Sequence, residues 1–186
     1  MHLLNLIRSK TGAQHTALHT HPLLIHLTSK TITHEIFTEI MTRFYGFHTG
    51  ITNELKVNKF CQPYDDLFAS TIDHLERDLA LLQISLEDVA IYKPHKDLNT
   101  QEALWAYLYL LLGSSLGGKV IHKSLIENLS TYTSEYTFFQ TSSNAPYTWK
   151  DFIVMLDKKT LNLNHEEIAA IAQNLFSGLY EWMENK

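Results

Sequence analysis

The sequence predicts an all-α protein folded as one domain. Apolar residues recur at three- and four-residue spacing through most of the chain, the period of an amphipathic helix. Only seven glycines and four prolines interrupt that pattern. The 186 residues suffice for one continuous core, since single domains commonly run to roughly 100–200 residues. No internal repeat or second-domain boundary is visible.

A first helix is expected over Leu3 to Leu18, ended by Pro22, which does not fit inside a helix, with a short helical turn reaching Leu27. The second runs from Thr33 to Val57. Its stripe is Ile36, Ile40, Phe44, Phe47, Ile51 and Leu55, Thr31 or Thr33 is available as N-cap, and Gly46 and Gly50 mark a bend. Leu67, Ile72, Leu75, Leu79 and Leu82 define a third helix over Tyr64 to Leu82. The stretch through Tyr92, Pro94 and Leu98 then reads as a connection. A fourth helix spans Gln101 to Leu129. Polar residues from Thr131 to Thr148, with Pro146 near their end, form a loop before helices over Trp149 to Thr160 and Asn164 to Glu184.

Composition narrows the function. With 45% apolar and 19% charged residues, extensive disorder is excluded. Fifteen Lys and Arg against 20 Asp and Glu give a net charge of −5, and no basic stripe interleaved with aromatics is present, so nucleic acid is not expected as a partner. One cysteine, Cys61, excludes an internal disulfide framework and multi-cysteine metal sites, and fits a reducing compartment. Met1 to Lys10 lacks the layout of a secretion signal. The most apolar run, Ala103 to Leu112, is shorter than the roughly 18 residues that span a bilayer. It reads as the core helix of a cytoplasmic protein with no membrane partner.

Two segments carry chemistry. Gly113-Ser114-Ser115-Leu116-Gly117-Gly118 sits in the middle of the fourth helix, where each glycine costs about 1 kcal/mol relative to alanine. Helical glycines admit another backbone or a flat ligand to contact distance. A planar cofactor accounts for all three; close packing against a neighbouring helix through Gly113 and Gly117 is the competing account. In the first helix, Arg8, Thr11 and His15 follow at one-turn intervals, so a cation and an imidazole share one face. Neutral imidazole is a good iron ligand and guanidinium pairs with carboxylates, so together they could hold haem by its centre and its propionate edge. His15, His19, His21 and His26 also raise the question of zinc, but no HExxH pattern and no nearby cysteine accompany them.

Arg8, Thr11 and His15 near the N-terminus, followed by Tyr109, Gly113-Ser114 and Leu116-Gly117-Gly118, resemble the haem oxygenases, above all the bacterial biliverdin-forming branch. The likeness continues through Phe44-Tyr45-Gly46-Phe47, Trp149-Lys150-Asp151-Phe152, Leu156-Asp157 and Trp182, and so covers nearly the whole chain. It implies a single haem-oxygenase-like helical bundle over residues 1–186. His15 would be the proximal ligand of the haem iron, and Gly113, Gly117 and Gly118 would lie across the distal face. Arg8, Tyr109 and Lys150 would meet the propionates, while Gly113, Ser114 and Gly117 would serve catalysis. Ser114 stands where the animal-type pattern has an aspartate that organises distal water; Ser114 or Ser115 could anchor that water instead. The implied reaction opens haem b with dioxygen and electrons from an external reductase or ferredoxin, giving biliverdin, carbon monoxide and ferrous iron, with a bilin-accepting protein downstream. A haem storage or delivery protein would use the same contacts without turnover, and a haem-free helical interaction protein would need the glycines only for packing.

Overall fold

The computed structural model describes residues 2–57, 59–140 and 147–184. Among them lie six α-helices and no strand: α1 (His2–His19), α2 (His34–Leu55), α3 (Asp65–Leu81), α4 (Gln101–Asn128), α5 (Trp149–Lys159) and α6 (His165–Glu184). Short 3₁₀ turns at Leu24–Thr28, Lys59–Tyr64 and Leu86–Asp88 fill the connections. The first of these is the helical turn expected to reach Leu27. The second has no counterpart in the periodicity, because six residues containing Pro63 carry no repeating stripe.

Helix starts are written in side chains. Thr33 accepts the backbone N–H of Ile36 at 3.3 Å to open α2, and Thr100 accepts that of Ala103 at 3.1 Å to open α4. At α5, Thr148 and Asp151 form a reciprocal capping box. Pro146 of the preceding loop lies outside the described residues.

α6 packs against both α1 and α4, α2 pairs with α3, and α5 covers α4. Ala103 to Leu112 of α4 is buried throughout and joins the core shared by α1, α5 and α6. By length and composition α4 would pass for a membrane span, with a mean hydropathy of 1.3 over its most apolar window. Here its apolar half is enclosed by the bundle. A second core gathers Phe37, Ile40, Met41, Leu75 and Leu79 with Tyr132, Tyr136 and Phe139 of the segment after α4.

The glycines of α2 correct one expectation. α2 runs as one α-helix through Gly46 and Gly50. Both lie under the connection at 90–92: a Cβ on Gly46 would strike the Ala90 carbonyl, and one on Gly50 the Tyr92 carbonyl. The Tyr92 N–H donates to Gly46 O at 3.1 Å, so the glycines admit a strap rather than bend the helix.

Candidate functional site

The face of α4 that carries Tyr109 and Gly113 turns toward α5 and α6. Tyr109 lies 5.6 Å from the Trp149 ring of α5 and 6.1 Å from the Phe176 ring of α6. Phe176 in turn lies 6.0 Å from the imidazole of His15. Since α6 packs on both α1 and α4, it sets Phe176 between His15 and Tyr109.

The three glycines, alike in sequence, part company here. A Cβ on Gly118 would come within 2.9 Å of the Phe139 carbonyl oxygen, so close backbone approach accounts for it. The reading of all three through one cofactor is corrected on that point. Gly113 would meet only the Trp149 ring, at an ordinary 3.5 Å, and Gly117 would meet nothing within 4 Å. Among the described residues, no neighbouring helix comes close enough to Gly113 or Gly117 to require glycine there.

His15 stands on the rim of the buried stripe of α1, behind Leu3, Ile7 and Thr11. Thr11 turns its hydroxyl back to Ile7 O at 2.9 Å and so serves the helix. Partial burial, with a second contribution from His19 packed edge-on at 4.6 Å, lowers the His15 pKa below the ordinary histidine value. The imidazole is therefore neutral near pH 7, the form that binds iron. Arg8 and Lys150 are exposed and have no ion pair among the described residues. His15, His19, His21 and His26 do not gather: among the described residues no group of three or more metal-ligating side chains exists.

Behind the glycine segment, toward α2 and α3, lies a cavity of about 440 Å³. Phe44, Leu67, Leu111, Phe138 and Phe139 give it an apolar wall. Ser114 and Ser115 line it too, each donating its hydroxyl to the carbonyl three residues back, Leu111 at 2.8 Å and Leu112 at 2.6 Å. With their protons so used, both serines offer lone pairs to the cavity. The sequence reading missed His48 of α2 and His74 of α3, which share this wall. His48 could have been noticed as an imidazole on an otherwise apolar face, four residues after Phe44. Asp78 is 1% exposed and was equally unmarked. Its two oxygens accept the backbone N–H groups of Thr137 and Phe138 at 2.7 and 2.9 Å, which fixes the segment closing the cavity. Burial raises its pKa and these bonds draw it partly back.

The all-α bundle thus links a histidine of the first helix, through Phe176 and Tyr109, to the helix that carries the glycines. The Heme oxygenase family profile matches residues 1–185, and the chain belongs to that family of haem-degrading oxidoreductases. The solved structure of a heme oxygenase from Leptospira interrogans aligns with a TM-score of 0.70 at 16% identity, covering 98% of each chain. At that identity the likeness speaks for the fold. No curated protein matches the chain.

Proposed function

We propose that this chain is a biliverdin-forming haem oxygenase of the cytoplasm, with His15 as the proximal iron ligand and Gly113 and Gly117 as the distal wall. The observation that carries the reading is the pair of α4 glycines with no packing reason, linked through Tyr109 and Phe176 to a histidine kept neutral. A macrocycle lying against Gly113 and Gly117 gives their missing side chains a use, where packing gives none. The exposed cations Arg8 and Lys150, with Tyr109, have the chemistry to pair with two propionates. Gly118, next along the helix, serves the Phe139 contact and lines the cavity behind.

When bound, haem supplies the redox chemistry: its iron activates dioxygen and its own ring is opened to biliverdin, carbon monoxide and ferrous iron. The protein's part is placement. His15 would hold one face, Gly113 and Gly117 would leave room over the other, and Ser114 would offer lone pairs to water in the cavity behind the segment. Electrons come from an external reductase or ferredoxin, and the bilin passes to an acceptor protein.

Haem titration of the wild type and His15→Ala, followed by reductant under oxygen with product chromatography, tests this directly. A His15-dependent Soret band that decays to biliverdin is expected. A band that persists under reductant and oxygen would make the chain a haem store or carrier, and the absence of any band would remove haem altogether.

A further inference from the structure

Tyr92 is seated by three glycines on two helices. A Cβ on Gly50 of α2 would strike its carbonyl, one on Gly178 of α6 would strike its hydroxyl, and its N–H donates to Gly46 O at 3.1 Å. Its ring packs against those of Phe47 and Trp182, at centroid distances of 4.8 and 5.6 Å. Backbone and ring are both fixed, and the residue is 7% exposed. The hydroxyls of Tyr45, Tyr107, Tyr132 and Tyr147 each bond to a protein atom, whereas that of Tyr92 has no protein partner among the described residues. A buried tyrosine hydroxyl ordinarily finds a partner, and phenylalanine would fill the same space without that need.

The hydroxyl is turned to a cavity of about 160 Å³ between the connection at 92–98 and α6. Ser177 and Asn174 of α6 stand on the same wall. Thr11, Thr71 and Ser114 send their hydroxyls back to helix carbonyls; Ser177 does not, and among the described residues neither it nor the Asn174 amide is bonded to a protein atom. Lys96 adds a cation with no ion pair among the described residues, while Glu181 holds His95 at 3.3 Å. Leu98 and Ile171 supply an apolar floor. Burial, and then the neighbouring Glu181, raises the Tyr92 phenol above its ordinary value, so it keeps its proton and donates. The space equals that of about five waters at roughly 30 Å³ each, enough for a molecule of about five to ten non-hydrogen atoms.

We propose that this cavity is a binding site for a short aliphatic carboxylate, whose oxygens are taken by Tyr92, Ser177, Asn174 and Lys96 and whose alkyl chain lies on Leu98 and Ile171. All four polar groups are donors, and donors converging on one place suit an anionic acceptor. The ligand would tie the connection at 92–98 to α6. Asn174, Ser177, Gly178 and Glu181 recur at three- and four-residue spacing on one face of that helix, and Phe176 lies on the opposite face. The site is therefore separate from the one that faces His15 and does not rest on the haem reading.

NMR titration of the full-length, nitrogen-15-labelled protein with sodium butyrate at constant ionic strength tests this. Saturable shifts are expected at the backbone amides of 92–98 and 171–181, with a dissociation constant on the order of 1 mM. Tyr92→Phe, which keeps the ring packing, and Lys96→Met, at an exposed position, should each weaken butyrate roughly tenfold or more. Butyramide, of the same shape without the charge, should bind more weakly by a similar factor. Failure of butyrate to saturate these shifts overturns the site, as does saturation that neither Tyr92→Phe nor Lys96→Met weakens. Equal binding of butyramide, or tighter binding of inorganic phosphate, overturns the carboxylate assignment.

Discussion

Gly117 and Gly118 are adjacent in sequence and opposite in consequence. Gly117→Ala adds a methyl group to open space, so the helix should gain about 1 kcal/mol of thermal stability. The same methyl should weaken haem binding if Gly117 faces the ligand, and titration measures that. Gly118→Ala presses on the Phe139 carbonyl and should lower the melting temperature, an overpacking loss of about 1–3 kcal/mol. His48 sets a pH dependence of known sign. Its folded pKa of about 4 lies below the ordinary 6.5, so between those values the unfolded chain takes up a proton that the folded chain refuses. The stabilisation is full above pH 6.5 and is lost as pH falls toward 4, on the order of 3 kcal/mol. Denaturant titrations across this range should show a shallower decline for His48→Gln than for the wild type.

At the scale of elements, helix positions were legible and their sideways fastenings were not. Thr33 stands ahead of an apolar run and caps α2, one of the two caps the sequence offered there, and Thr100 caps α4 in the same way. Capping is local chemistry, visible within four residues. Thr148→Ala removes one half of a capping box and should cost about 1 kcal/mol, with the loss visible in a thermal melt. The clamp between α2 and α6 is long-range: Trp182 Nε1 donates to Arg43 O at 2.8 Å, while Arg43 Nη1 donates to Trp182 O at 2.7 Å. Two residues 139 positions apart give no sequence sign of each other. The strap over Gly46 is likewise set by tertiary contact, and Gly46→Ala should cost about 1–3 kcal/mol because backbone, not a flexible side chain, blocks the methyl group.

Over the whole molecule, the residues the sequence could put forward for the candidate site are those set by repeated helical spacing: His15, Tyr109, Gly113 and Gly117. It concealed the chamber behind them. His48 meets Tyr107 across 59 residues and His74 meets Thr137 across 63, partners brought together only by α2 meeting α4 and α3 meeting the segment after α4. The aromatic bridge was hidden for the same reason, since Phe176 belongs to the core pattern of α6 and looks like any other core residue. Haem that binds only the folded chain should stabilise it by about 2.7 kcal/mol at a hundred times its dissociation constant. Calorimetric melts with and without haem should show this gain in the wild type and little of it in His15→Ala.

The burial of α4 also has a consequence for biosynthesis. This helix leaves the ribosome before α5 and α6, and at roughly 5–20 residues per second the remainder through Glu184 takes roughly 3–11 s to follow. During that interval a segment apolar enough to pass for a membrane span lacks two of the helices that cover it. The nascent chain should therefore engage chaperones or insertion factors at this stage, and chains stopped after Thr160 should pellet where full-length chains remain dispersed. α6 thus acts as the seal on the molecule's most adhesive surface.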